Sequence, residues 1–175
     1  MDFLRIFTQI LLITFFALHV VYFIVGILVK PQKFTSQSIQ RRYDFLIVAK
    51  DESLVIGDLI DSIKQQNYPP HLSRIFVLAD NCKDDTAAVA KAHGAITFIN
   101  DLPNENGKGL ALKRLIQLRN TYPGLQSDAV FFFDADNLVA PDFTAKMNDA
   151  YQNDDTILIG YRGSKNFASN ATSMG

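Results

Sequence analysis

The chain has 175 residues, 17 basic and 18 acidic, for a formal net charge of -1; 48% are hydrophobic and 20% charged. With no basic stripe interleaved with aromatics, the sequence points away from nucleic acid as a partner. Cys82 is the single cysteine, which excludes an internal disulfide framework and a cysteine zinc site and fits a reducing, cytosol-facing domain.

The first element is apolar. Residues 6–29 contain no Asp, Glu, Lys or Arg. At about 1.5 Å per helical residue the run reaches roughly 36 Å, enough to cross a hydrocarbon core of about 30 Å with some tilt. A cleaved signal peptide has a shorter apolar stretch and small residues at its cleavage site, and Val29-Lys30-Pro31 offers neither. Residues 1–30 are therefore expected to be a single-pass anchor in the cell membrane. Arg5 precedes the span, whereas Lys30, Lys33, Arg41 and Arg42 follow it, so the positive-inside bias places the remainder in the cytoplasm. Residues 31–42 are polar, contain Pro31 and show no sustained period, as expected of a juxtamembrane linker.

From Tyr43 onward, short apolar runs alternate with helical patterns. Residues 45–49 read as a buried strand, and Ile56, Leu59, Ile60 and Ile63 then recur at helical spacing until Asn67-Tyr68-Pro69-Pro70 stops the helix. A strand is predicted over 75–79, a short helix over 86–93 closed by Gly94, a strand over 95–99 and a helix from Gly109 to about Asn120. A strand over 129–133, a helix opened by Pro141 and a last strand near 156–159 complete the series. Strands alternating with helices imply an α/β fold with a mostly parallel, Rossmann-like sheet, whose ligands gather outside the carboxyl ends of the strands.

The residues that follow the strands carry the chemistry. Phe131-Phe132-Phe133-Asp134-Ala135-Asp136 reads as three buried aromatics delivering two carboxylates to the sheet rim. Mg²⁺ and Mn²⁺ prefer oxygen ligands and bind through one or two carboxylates plus substrate phosphates, so Asp134 and Asp136 are the candidate metal ligands. Asp80 ends the second strand on the same rim. Asp84 and Asp85 suit the N-terminus of the following helix, and one acidic group of Lys50-Asp51-Glu52-Ser53 is expected to cap the helix after the first strand. Asn104-Glu105-Asn106-Gly107-Lys108-Gly109 opens a helix with glycines and a lysine, a combination that can meet a phosphate. A P-loop is excluded, because Leu102 stands where its first glycine belongs and Leu110 where Ser or Thr would hold Mg²⁺.

In sequence order these segments resemble family 2 glycosyltransferases of the GT-A fold. Ala49-Lys50-Asp51-Glu52 is similar to the family's Pro-Ala-x-Asn-Glu signature, with Val48 in place of the usual proline. Gln66-Asn67-Tyr68-Pro69 matches its Gln-x-Tyr-Pro turn. The segment from Ala79 to Thr86 is close to its Asp-x-Ser/Cys-x-Asp-x-Thr element, Gly107-Lys108-Gly109-Leu110-Ala111-Leu112 to Gly-Lys-x-x-Ala-Leu, and Phe133-Asp134-Ala135-Asp136 to its metal motif. The resemblance implies an enzyme that uses a nucleotide-diphosphate sugar, a UDP-sugar by first expectation, with Mn²⁺ or Mg²⁺ and inversion at the sugar, and the apolar first element makes it membrane-bound. It places Asp80 at the nucleotide base, Lys108 and Glu52 among the nucleotide-sugar contacts, Asp134 at the ribose side and the metal, and Asp136 on the metal.

The family's general base lies far downstream of the metal motif, often with a Gln-x-x-Arg-Trp segment beyond, whereas this chain has no Trp and ends soon after Asp136. Residues 43–175 are accordingly expected to form an incomplete GT-A domain, with no catalytic base identified and a possible protein partner completing it. One alternative is a catalytically inert nucleotide-sugar-binding fragment. A minor alternative is a haloacid-dehalogenase-type phosphatase with Asp134 as nucleophile, from which Asn137-Leu138 departs.

Overall fold

A computed structural model describes residues 2–29, 34–102, 107–124, 126–151 and 157–160. Asn104, Glu105 and Asn106, and the acidic pair Asp154 and Asp155, lie outside the described residues. The chain divides into two compact units, one up to Phe34 and one from Thr35 onward. The first is a single helix, α1 (Asp2–Leu28). Its 26-residue stretch Phe3–Leu28 is long and apolar enough to cross a membrane.

The second unit is built around β1 (Tyr43–Ala49). It continues through α2 (Ile56–Lys64), a 3₁₀ turn (Pro70–Leu72), β2 (Ser73–Asp80), α3 (Thr86–Ala92), β3 (Ile96–Asn100), α4 (Lys108–Thr121), β4 (Ala129–Asp134) and α5 (Phe143–Ala150). All strand pairings are parallel, in the order β3-β2-β1-β4. The first three strands step outward in one direction and β4 returns to the other side of β1. The strand order therefore reverses between β1 and β4, where an open α/β sheet leaves a crevice at its carboxyl edge.

Alternation along β1 explains the two layers. Tyr43, Phe45, Ile47 and Ala49 face Ile56, Leu59, Ile60 and Ile63 of α2 and Ala90 of α3, with Phe143 of α5 packed against the same cluster. Leu46, together with Phe76 and Leu78 of β2, faces Ala111 and Leu115 of α4. Burying an Ile, Leu or Phe side chain fully contributes about 1.5–3 kcal/mol, so this doubly covered strand is the main apolar anchor of the unit.

Two expectations need correction. Of the three phenylalanines of β4, Phe131 and Phe133 pack with Phe45 and Phe143, but Phe132 is 48% exposed. β4 is the sheet edge among the described strands, and the cluster that α4 forms with β1 and β2 takes in Val130 on that face but leaves Phe132 uncovered. The strand expected near 156–159 does not form in its described part, residues 157–160. An alternating apolar run becomes a strand only with a ladder partner; here Ile157 and Ile159 stay 80% and 88% exposed.

At the amino end of the sheet, Asp44 is buried in an ion cluster that sequence periodicity does not reveal. Arg74, its neighbour across the β1–β2 ladder, donates two hydrogen bonds to its carboxylate at 2.8 and 2.9 Å. Arg119 of α4 donates from Nε to Asp44 Oδ2 at 2.6 Å and also reaches the Ser127 hydroxyl. Burial pushes the Asp44 pKa up, but hydrogen bonds from Arg74, Arg119 and Ser127 outweigh it and hold the carboxyl below its ordinary value. A depressed folded pKa means that this stabilisation is complete above the unfolded value of about 4 and is lost as pH falls through the folded value. Unfolding of the chain in detergent should therefore become easier in that acid window. Asp44→Ala should cost about 3 kcal/mol at neutral pH, because two arginines lose the carboxylate that compensates them, and should make the acid-dependent loss smaller than in the parent. Urea titrations of both proteins at several pH values check both outcomes.

Candidate active site at the carboxyl edge of the sheet

A cavity of about 710 Å³ opens at the carboxyl edge, lined by Val48, Lys50, Glu52, Asp80, Gly107, Lys108, Asp134, Ala135 and Asp136. The five residues expected to bind nucleotide sugar or metal, Glu52, Asp80, Lys108, Asp134 and Asp136, all lie on its wall. The ladder explains the convergence: Val48 of β1 is in register with Asp134 of β4, and Ala49 of β1 with Ala79 of β2, so the residues that follow leave the sheet side by side.

Lys108, the first residue of α4, forms an ion pair with Asp134. Gly107 before it takes φ +131°, a backbone conformation open to glycine and strained for other residues. Asp136 is exposed in the turn after β4, where the N–H of Asn137 bonds back to the carbonyl of Asp134 at 3.1 Å. Asp80 is only 7% exposed and is held by side-chain amides of Asn100 at 2.7 Å and Asn81 at 3.1 Å. The wall thus sets four carboxylates against two ammonium groups, an excess of negative charge and of hard oxygen donors that suits a divalent cation.

The segment after Asp136 is fastened to the end of α2. Gln66 donates to the carbonyl of Ala140 at 2.7 Å and accepts from both the N–H and the hydroxyl of Thr144 at 2.9 Å. Ser62 accepts from the N–H of Val139, and the N–H of Asn67 bonds the Pro141 carbonyl at 2.7 Å. Tyr68 donates to the Arg41 carbonyl at 2.8 Å and meets Asn148, which also accepts from Tyr43. The Gln66-Asn67-Tyr68-Pro69 turn therefore sets the position of the chain that follows the two rim aspartates, rather than entering the cavity itself.

No side chain caps α2, contrary to expectation: Val55 occupies the N-cap position without a side-chain hydrogen bond, and the Glu52 carbonyl accepts from Val55 and Ile56 instead. The acidic groups are used differently. Asp51, at φ +56°, accepts from the Lys83 N–H at 2.6 Å, and Asp84 accepts from the Ser53 and Thr86 N–H groups at 3.0 Å each. The Thr86 hydroxyl chiefly holds the Asp84 carboxyl well below the usual range, against a smaller opposing effect of desolvation. Asp51, Cys82 and Asp84 come within 4.8 Å of one another, but their bonding splices the loop after β1 to the loop after β2. Asp85 takes the N-cap position of α3 without a side-chain bond. Asn100, which holds the cavity residue Asp80, is a contact that sequence reasoning missed, since a lone Asn ending an apolar strand carries no motif.

No curated protein matches the chain. Among solved structures, a mannosyltransferase from Pyrobaculum calidifontis in complex with GDP-Man and Mn²⁺ superposes with a TM-score of 0.63 at 21% identity, over 79% of this chain and 41% of that one, a likeness of fold. Glucosyl-3-phosphoglycerate synthase of Mycobacterium tuberculosis is 30% identical over 56% of this chain and 36% of that one, with a TM-score of 0.43. The chain thus spans well under half the length of either structure. The sheet order, the rim carboxylates and the lysine at the start of α4 accompany a match over residues 41–173 to the family model described as glycosyltransferase like family 2, and the chain belongs to that family.

Proposed function

We propose that this chain forms the donor-binding part of a membrane-anchored glycosyltransferase that takes a nucleotide-diphosphate sugar, a UDP-sugar as first choice, and transfers the sugar with inversion to an acceptor yet to be identified. The observation that carries the reading is the single cavity in which Glu52, Asp80, Lys108, Asp134 and Asp136 converge. Family membership favours it over the phosphatase reading of Asp134. In this reading Asp80 accepts from the nucleobase, Asp134 faces the ribose and, with Asp136, holds Mn²⁺ or Mg²⁺, and Lys108 and Glu52 contact the donor. Such a cation supplies Lewis-acid stabilisation to the departing diphosphate. Lys108 adds a mobile positive charge where negative charge develops.

The cavity predicts a graded response to substitution. Asp136→Ala should abolish metal-dependent binding of uridine diphosphate, and Asp134→Ala should weaken it less severely, with helix content unchanged by circular dichroism. Rim carboxylates donate to ligands rather than pack the core, so function is lost before stability. Equilibrium dialysis with and without Mg²⁺ measures this, and two variants that bind as the parent does would sink the site assignment.

The proposed organisation is an anchor over residues 1–30, a juxtamembrane segment over 31–42 and a donor-binding region from 43 to 175 on the cytoplasmic side of the cell membrane. The length and apolarity of Phe3–Leu28 support the anchor, and the basic residues after it support the orientation. In sealed vesicles, protease added on the cytoplasmic side should remove the region after residue 42. Cleavage there only from the opposite side would reverse the topology.

A further inference from the structure

Asn100 combines a close contact with a site residue and an unpaired buried atom. It ends β3 opposite Asp80, is 2% exposed, and donates from Nδ2 to Asp80 Oδ1 at 2.7 Å. Its own Oδ1 is buried without a hydrogen-bond partner among the described residues. Reversing the amide would bring that oxygen against the carboxylate, so the chemistry fixes which end faces Asp80. An orphaned buried carbonyl costs stability, and a residue that carries one calls for an explanation outside the packing.

The neighbouring backbone supports the same contact. Asn81 takes φ +50°, donates its N–H to the Asn100 carbonyl at 2.7 Å, and turns its side-chain amide onto Asp80 Oδ1 at 3.1 Å. Asn is among the residues that tolerate this left-handed conformation. Both side-chain amides thus fall on the same carboxylate oxygen. Among the described residues Oδ2 takes no such bond, and Asp80 lines the cavity.

We infer that Asn100 is a positioning residue for nucleobase recognition: its amide clamps Oδ1 of Asp80 and so presents Oδ2, an acceptor without a donor among the described residues, to an N–H of the base. The inference rests on the proposed reading of the cavity as a nucleotide-sugar site. It assigns Asn100 no contact with the diphosphate, which lies with Lys108, Asp134 and Asp136 in that reading.

Equilibrium dialysis of the full chain in detergent, with uridine diphosphate and separately with inorganic diphosphate, both with Mg²⁺, distinguishes the possibilities. Asn100→Leu should weaken uridine diphosphate binding about tenfold, the scale of one hydrogen bond to a charged group, and leave inorganic diphosphate binding unchanged. Its Tm should fall only modestly, because removal of the orphaned carbonyl offsets part of the lost hydrogen bond to Asp80. Asn100→Asp provides a second test that does not depend on how Leu packs. Two carboxylates in contact share a proton in acid, where the shared O–H replaces the amide donor, and repel when both are ionised. Its affinity for uridine diphosphate, relative to the parent at the same pH, should therefore decline as pH rises. The comparison at matched pH cancels titration of Lys50, Glu52, Lys108, Asp134 and Asp136, which line the same cavity. Unaltered uridine diphosphate binding by Asn100→Leu, equal loss of both ligands, or a flat relative profile for Asn100→Asp would overturn the inference while leaving the site reading intact. A parent chain that binds neither ligand would overturn the site reading and this inference with it.

Discussion

β1 is paired in parallel on both edges and covered on both faces, so the position of every chemical group in the cavity depends on where this strand ends. A parallel ladder brings the carboxyl ends of its strands to one rim, and the register does the rest. Val48 beside Asp134 and Ala79 beside Ala49 mean that the chain leaving β1, β2 and β4 must share one small region. A slip of one residue in the β1–β4 register would turn the inward phenylalanines outward and move Asp134 away from Lys108. Apolar packing at the centre of the sheet is thus what assembles a polar site at its edge.

The fold was legible in the sequence wherever a single strand or helix carried its own pattern. The Phe45-Leu46-Ile47-Val48-Ala49 run, the Ile56, Leu59, Ile60, Ile63 spacing and Gly94 after a short helix each marked an element to within a few residues of where it lies. What failed was information about neighbours. Phe132 looks as buried as Phe131 until β4 is known to be the edge of the described sheet, and residues 157–160 look like a strand until a ladder partner is sought. Residue identity reports how much surface a side chain prefers to bury; the topology decides whether a surface is there to bury it.

The candidate site divides in the same way. Glu52, Asp80, Lys108, Asp134 and Asp136 were legible because each follows a strand or opens a helix within a recognisable segment, and one cavity gathers them. Asn100 and Asp44 were not. Asn100 matters through a cross-strand contact with Asp80, and Asp44 sits inside the first strand, where its meaning comes from Arg74 in register and Arg119 distant in sequence. Gln66 is intermediate: its turn was visible, but its bonds to Ala140 and Thr144, which fasten the segment after Asp136, were not.

The two ends of the sheet treat charge in opposite ways, and the contrast bears on how the site works. At the amino end Asp44 is 1% exposed and shared by two arginines, so its charge is spent on holding β2 and α4 to β1. At the carboxyl end the pair of Lys108 and Asp134 is exposed by 68% and 42%, in the range where an ion pair contributes little to stability. A weak, wet pair is easily exchanged. In the proposed reading, Lys108 would leave Asp134 for a phosphate oxygen at small cost and Asp134 would turn to a cation, without disturbing the packing that positions either residue. Fixing charge at one end of the sheet and leaving it exchangeable at the other allows the same four strands to be stable and responsive to a ligand.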